Sequence, residues 1–539
     1  MSSTHTVLNQ SEPRVNVNEF TSNIALCEAT QTFAPNANLQ KLEHIGQTVG
    51  GADYQRDAQL ANTFTPIHRS HDQWGHRVDE IDFHPAYHNI MGQSVEWGLH
   101  TSAWANPGPG ANVERATGFM LVSQIEPGHG CPISMAHAAV PALRYSPEIA
   151  KEWEPKLLST TYEPELRDPA TKQGAIFGMA MTEKQGGSDV RANTTEATPN
   201  ADGTYTLRGH KWFCSAPQSD AFLVLAQLPE GLSCFLVPRI LPGGERNPFY
   251  VQRLKDKLGN KSNASSEIEL DGTIGQLIGD PGRGVRTIIE MVNRTRLDCV
   301  LGAAAGMRQT VAEAAWHTRH RKAFGATLID QPAMTNVIAD LQLEAEAATW
   351  QALSLAADHD DPNQASYRRL ATAVAKYWIC KRGPHHAYEG MECLGGNGYT
   401  ELFPLARRYR EQPVLAIWEG SGNVIALDVL RAMAKEPESF EAFDARMASA
   451  AGKHELYDAQ LNKTRGFVNQ AMKNPAEAPA IARQLIEAMA LTMQAQTLIE
   501  HASPTVAEAF IRGRLSDGRG FEYGTLPEGV DLETLVSRA

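Results

Sequence analysis

The stretch Gly178-Met-Ala-Met-Thr-Glu-Lys-Gln-Gly-Gly-Ser-Asp189 decides how the rest of the chain is read. An apolar run of strand character opens there into a loop with paired glycines and several hydroxyls. Gly186 and Gly187 permit close backbone approach and positive φ, while Thr182 and Ser188 can donate to a ring carbonyl or a phosphate. Chemistry alone also allows a plain tight turn. The surrounding texture settles the local fold class. From about residue 175 to 279, runs such as Phe222-Leu-Val-Leu-Ala226, Cys234-Phe-Leu-Val237 and the alternating Ser266-Glu-Ile-Glu-Leu270 are separated by Asp202-Gly203 and Pro242-Gly-Gly244. Short strands with turn signals between them predict a compact β domain of roughly a hundred residues.

On both sides of it the apolar period is helical. Tyr87, Ile90, Met91, Val95 and Leu99 recur at three- and four-residue steps, and the pattern continues through residues 119–125 and 133–143. After Gly284 long amphipathic segments cover 288–318, 333–358 and 364–394, which a four-helix bundle buries economically. A boundary falls near Glu436-Pro437, followed by about a hundred more helical residues with Ile481, Leu485, Met489 and Met493 on one face. The expected order is therefore an N-terminal arm and helical domain (1–175), a β domain (176–280), a four-helix bundle (281–435) and an additional helical domain (436–539). The fold class is mostly α with a central β domain.

The 539 residues suffice for three or four domains at ~150 residues each. With 49 basic against 62 acidic side chains the net charge is -13, so any polyanion site must be a local patch. No apolar run approaches the ~20 residues of a membrane helix, and the polar first ten residues lack a signal-peptide layout. Seven scattered cysteines without a C-x-x-C pattern suggest reduced thiols, so no membrane association and a cytoplasmic location are expected.

Three further segments carry chemistry. Gly209-His-Lys-Trp-Phe-Cys-Ser215 sets Phe213 and Ser215 two apart, on one face of a strand. Glu392-Cys-Leu-Gly-Gly-Asn-Gly-Tyr399 ends a helix with glycines, where backbone groups can meet a pyrophosphate or simply cap the helix. Ile417-Trp-Glu-Gly-Ser-Gly-Asn423 places one carboxylate between an indole and glycines, just before a helix. A poorly hydrated setting of that kind raises a carboxylate pKa toward that of a working general base.

Jointly these segments resemble the acyl-CoA dehydrogenase family. Ala180 to Ala192 fits the family's first signature throughout, and Glu392, Gly395, Gly396, Gly398, Tyr399, Arg410 and Glu411 fit the second, whereas Leu402 stands where the family carries an acidic or amide residue. Arg321-Lys-Ala-Phe-Gly325 looks like its R-x-x-F-G motif, with Gln331 following. The long N-terminal arm, residues 181–190 and 254–264, and the C-terminal tail look like the AidB branch, bacterial flavoproteins tied to the alkylation response. The resemblance implies FAD as cofactor. Met179, Thr182, Gly187, Ser188, Phe213 and Ser215 would hold the flavin of their own subunit, with Phe213 and Ser215 beside the isoalloxazine ring. Arg321, Phe324, Gln331, Gly395 and Gly396 would reach pyrophosphate and adenine across a subunit interface, and Ser421 and Asn423 would contact the flavin after the base. Glu392 replaces the Gln usual in the family. Glu419 would be the catalytic base, removing the proton α to a thioester carbonyl, with Thr182, Ser188, Arg296 and Gly420 toward substrate. An oxidoreductase of short or branched acyl-CoA such as isovaleryl-CoA, assembled as a homotetramer, is the expected protein.

A second reading makes it a flavoprotein that binds duplex DNA or detoxifies alkylating agents. Residues 436–539 hold 10 Lys and Arg against 15 Asp and Glu, and only Arg512, Arg514 and Arg519 cluster, most simply on an exposed loop. Metal binding is the third reading. His84 with His88, His317 with His320, and His385-His386 lack a third ligand at convincing spacing, so no metal is expected.

Overall fold

An apolar run that does not alternate belongs to a strand covered on both faces, and 222–226 is one. The computed structural model, which describes residues 4–539, shows how it is covered. In chain order come α1 (Ile24–Phe33), α2 (Leu39–Val49), α3 (Ala52–Thr63), a hairpin of β1 (Ile67–His71) and β2 (Arg77–Asp82), then α4 (Pro85–Glu96), α5 (Ser102–Ala105), α6 (Ala111–Ser123), α7 (Gly130–Leu143) and α8 (Pro147–Leu157). The β domain follows as β3 (Phe177–Ala180), β4 (Glu196–Pro199), β5 (Tyr205–Ser215), β6 (Ala221–Leu228), β7 (Gly231–Pro238), β8 (Tyr250–Leu254) and β9 (Ser265–Ile278). Helix α9 (Gly284–His320), the tiny hairpin β10 (Lys322–Ala323) and β11 (Ala326–Thr327), α10 (Pro332–Asp358), α11 (Ala365–Cys393), α12 (Pro404–Leu415) and α13 (Gly422–Lys435) come next. The tail is α14 (Pro437–Ala448), α15 (Glu455–Lys473), α16 (Ala478–His501), α17 (Pro504–Leu515) and α18 (Leu532–Ser537).

Two units result, one of residues 53–108 and 126–298, the other of residues up to 52, 109–125 and 299–539. In the first, β6 pairs antiparallel with β7, β7 with β9, β9 with β5 and β5 with β4, while β3 and β4 lie parallel along the other edge of β6. The sheet thus closes on itself, which leaves few open edges. Phe222, Val224 and Ala226 fill its interior with Leu207, Phe235, Ile268 and Leu270. Ala221, Leu223 and Leu225 point the other way and pack with α7 and α8 residues such as Val140, Leu143 and Trp153. Among the described residues no helix is long and apolar enough to cross a membrane.

In the second unit α10 departs from the amphipathic expectation. It is buried on every side from Ile338 to Ala356, because α1, α6, α11, α16, α17 and α18 all pack on it. The charges this traps, Asp340, Glu344 and Glu346, are met by arginines from the tail and from α11: Arg514 bonds Asp340 and Glu344, Arg382 bonds Glu344, and Arg538 bonds Glu346. Helix α16 likewise is buried all round from Ala488 to Leu498 rather than on one face. The hairpin β1–β2 has no apolar alternation to announce it, and ion pairs from Arg69 to Glu80 and Asp82 lie along it.

Candidate active site

Strand β3 delivers the loop 181–189 to the surface of its unit. Thr182 is half-buried, Ser188 is exposed and Gly186 has φ +145°. A Cβ on Gly187 would come within 2.5 Å of Thr182 Oγ1, so this glycine is needed for close approach. The Trp212 N–H donates to the Thr182 carbonyl at 2.8 Å, which ties the loop to β5. At the end of β5 the Phe213 ring is 53% exposed and Ser215 is half-buried, on the same face. The structure therefore brings Thr182, Gly187, Ser188, Phe213 and Ser215 together in one unit. Met179 packs its side chain against the core under α7, and Arg296 is buried in α9.

Beneath that loop lies a residue pair that motif reading passes over. Glu183 is fully buried and accepts six hydrogen bonds: from the Thr194 and Thr195 N–H groups and hydroxyls, from Gln185 Nε2, and from Lys211 Nζ at 2.8 Å. Burial works against its charge, but the Lys211 ammonium and the Thr194 and Thr195 donors outweigh it and hold the carboxyl well below the usual carboxylate range. Lys211 also donates to the Leu225 carbonyl at 2.7 Å. The signal was in the sequence, since Leu207, Gly209 and Lys211 share the inward face of β5 and an inward lysine demands a carboxylate. Glu183→Gln is expected to leave that lysine buried without its counter-charge, destabilising this unit by ~3–5 kcal/mol and lowering flavin occupancy. Thermal unfolding with the ratio of visible to ultraviolet absorbance checks it, and the double variant Glu183→Gln, Lys211→Met should recover part of the loss.

The other unit holds the remaining candidates. Phe324 and Gly325, with φ +52° and +81°, form the two-residue turn between β10 and β11, and Phe324 is 99% exposed. A phenylalanine in the left-handed region is strained, and such strain persists where surrounding structure enforces it. Asn9 supplies that enforcement: its side chain bonds both the carbonyl and the N–H of Lys322 at 2.8 Å, and its carbonyl accepts from Arg321. Gln331 donates to the Ala323 carbonyl at 2.9 Å and stands at the N-cap position of α10 without a side-chain capping bond. Gly395, held at φ +58°, and Gly396, with open space beside it, follow α11, with exposed Glu392 one turn earlier.

Glu419 sits between α12 and α13 with φ +57°, followed by Gly420 at +108°. Buried Lys376 reaches from α11 to the Gly420 carbonyl and pins this turn. Ser421 is the N-cap residue of α13, and Asn423 accepts from Arg483 of α16 at 2.8 Å. Trp418 Nε1, adjacent to Glu419, is buried without a hydrogen-bond partner, as suits a site whose polar occupant completes it.

The arginines read as a phosphate patch are engaged elsewhere. Arg512 and Arg514 end helix α17 rather than lying on a loop, and the Arg514 charge faces inward onto Asp340 and Glu344. Arg512 donates to the Glu528 carbonyl at 2.6 Å, and Arg519 to the Arg514 carbonyl at 3.0 Å. Arg407 and Arg408 are buried against the carbonyls of Ile125 and Gln124 at the C-terminal end of α6. His88 bonds the Tyr162 hydroxyl, His317 bonds Ser11, His385 bonds Glu522 and His386 the Leu341 carbonyl. Among the described residues no three metal-ligating side chains gather.

Comparison with known proteins gives this geometry a family. Residues 9–164 match the N-terminal domain of the adaptive response protein AidB, residues 178–273 the middle domain of acyl-CoA dehydrogenases, and residues 282–434 their C-terminal domain. The chain is 42% identical to AidB of Escherichia coli (strain K12) over 522 residues, covering 96% of this chain and 95% of that one. It belongs to the acyl-CoA dehydrogenase family, as an AidB homologue. Acyl-CoA dehydrogenase family member 11 of Caenorhabditis elegans is 31% identical over 88% of this chain and 78% of its own. A crystal structure of ACDH-11 from the same organism, in complex with C11-CoA, superposes with a TM-score of 0.87 at 26% identity, over 95% of this chain and 93% of that one. The order of helical, β and helical domains is that of acyl-CoA dehydrogenases, and the protein is an enzyme of that family. Membership implies FAD. Around Phe213 the chemistry suits such a group, with an exposed aromatic face and hydroxyls in one unit.

Proposed function

We propose that this protein catalyses the α,β-dehydrogenation of a short or branched acyl-CoA such as isovaleryl-CoA, with Glu419 as the base, as part of the alkylation-damage response. What carries this reading is the turn at Glu419, where a left-handed glutamate and the Lys376 contact fix a single carboxylate at one place. A carboxylate held in a conformation that only glycine adopts freely is set there for a task. The C11-CoA complex of ACDH-11 supports an acyl-CoA as ligand.

Bound FAD supplies the acceptor for the hydride leaving the β carbon. Thr182, Ser188, Phe213 and Ser215 would hold the flavin of their own subunit, and Gly187 leaves room for the Thr182 side chain in that loop. Glu419 takes the α proton of the thioester, and the Gly420 backbone beside it orients the acyl group. That proton is too weakly acidic for a carboxylate in water, so the site must stabilise the developing enolate. Arg321, Phe324, Gln331, Gly395 and Gly396 hold the pyrophosphate and adenine of a flavin in a neighbouring subunit. The fully exposed ring of Phe324 at an enforced turn supports such a role, and with it a homotetramer. A duplex-DNA role draws less support, because Arg514 is buried in ion pairs and the tail is acidic.

Anaerobic titration of the yellow holoprotein tests the reading. Isovaleryl-CoA is expected to bleach the visible flavin band at stoichiometric amounts, ahead of straight-chain acyl-CoAs of four to eleven carbons. A flavin that no thioester reduces would remove the dehydrogenase reading.

A further inference from the structure

Strand β5 ends at Ser215, and its cross-strand partner in the antiparallel register with β9 is Ser265. The two hydroxyl oxygens are 3.4 Å apart. Behind Ser265 stands Lys257, in the loop after β8, whose ammonium donates to Ser265 Oγ at 3.0 Å and to the Asn263 carbonyl at 2.6 Å. Ser265 is buried, and the partners of its hydroxyl are Lys257 and Ser215. An ammonium has donors and no acceptor, whereas a serine hydroxyl has one proton to give. With one Ser265 lone pair taken by Lys257, the Ser265 proton can be directed to Ser215 Oγ, the other polar atom beside it. In that arrangement Ser215 accepts and points its own proton away from the strand pair. Of the other lysines near this strand end, Lys255 bonds Glu267 at 2.7 Å and lies 3.3 Å from the centre of the Trp212 ring and 4.7 Å from that of Phe213, and Lys211 is held by Glu183.

We propose that Lys257 acts through Ser265 to fix Ser215 as a hydrogen-bond donor toward the flavin ring, and that this relay raises the flavin's reduction potential. The inference rests on the reading that places Phe213 and Ser215 beside the isoalloxazine. Reduction adds electron density to the ring, and a donor chain that ends in a cation stabilises the reduced form more than the oxidised one. Lys257 and Ser265 are thus positioning residues, and Ser215 is the group that meets the cofactor.

The experiment measures the midpoint potential of the FAD-loaded protein by anaerobic dye-coupled reduction. Lys257→Met and Ser265→Ala are each expected to shift the equilibrium about tenfold toward oxidised flavin, which is about 30 mV for a two-electron couple. The double variant should move it no further than either single change, since both break one chain. Lys257→Arg, still a pure donor, should keep most of the original potential. Ser265→Ala leaves the bond from Lys257 to Asn263 intact, so it separates the relay from loop support, and a fluorescence titration of apoprotein with FAD checks that binding survives. If Ser265→Ala keeps the original potential, the relay is overturned, whether or not Lys257→Met moves it. A wild-type protein that takes up no FAD would instead overturn the reading of the site and this inference with it.

Discussion

Glu419→Gln is expected to bind FAD as the wild type does and to lose roughly 10²–10⁴-fold of its rate of flavin reduction by acyl-CoA, the span assigned to a positioned general base. The substitution keeps the size of the side chain and the strained turn, because the φ of +57° is imposed by the loop between α12 and α13 and by Lys376 on Gly420. Only the ability to accept a proton disappears. Anaerobic stopped-flow absorbance at the flavin band, with the holoprotein mixed with acyl-CoA over a range of concentrations, reads the limiting rate of reduction apart from binding. Retained rapid reduction would mean that another group takes the α proton. Glu419→Asp should lie between the two, since the shorter arm withdraws the carboxylate without abolishing its basicity.

Replacing Arg514 by Leu should produce a large loss of stability in the second unit. Its guanidinium is buried between Asp340 and Glu344, and Arg382 approaches Glu344 from the other side at 3.1 Å while donating to the Tyr523 hydroxyl at 3.0 Å. Removing one cation leaves the buried carboxylates short of a partner, a loss of ~3–5 kcal/mol, read as a fall of roughly 5–10 °C in the melting of that unit. The same network predicts acid sensitivity. Burial opposes the charge of Glu344, yet Arg382 and Arg514 hold its carboxyl down from 4.5 to about 2. A carboxyl whose folded value is depressed contributes stability above its unfolded value, and that contribution is lost as pH falls from about 4.5 toward 2. Differential scanning calorimetry between pH 7 and 3 should therefore show the wild type losing more than an Arg514→Leu variant, which has already given up part of this term.

Much of the architecture was legible because it is written in periodicity. Alternation in 266–270, the unbroken run 222–226 and the long helical segments after Gly284 each report burial directly. The hairpin β1–β2 was not, since its strands are largely polar and hold together by ion pairs. Nor were the roles of Asp340 and Glu344 on α10, because a carboxylate facing an arginine in a core is spelled the same way as one facing water. For the site, motif resemblance supplied the residues, while chemistry alone left Gly186-Gly187 open between a ligand loop and a tight turn. The supports beneath them, Glu183 with Lys211, Lys376 under Gly420 and Asn9 under the Arg321 hairpin, are contacts between residues 28 to 313 positions apart, beyond the reach of any local pattern.

The way the two units are threaded has a consequence for how the protein is made. All of the first unit lies between residues 53 and 298, so it can consolidate while synthesis continues. The second cannot: α1 waits for α10, and Glu28 on α1 meets its ion-pair partner only with Arg538, 510 positions later. A nascent chain halted in the tail would carry a finished first unit and an α10 whose trapped carboxylates have Arg382 but neither Arg514 nor Arg538. Such an intermediate exposes surface that the finished unit buries, and the time spent in it grows with every delay in translating the final helices.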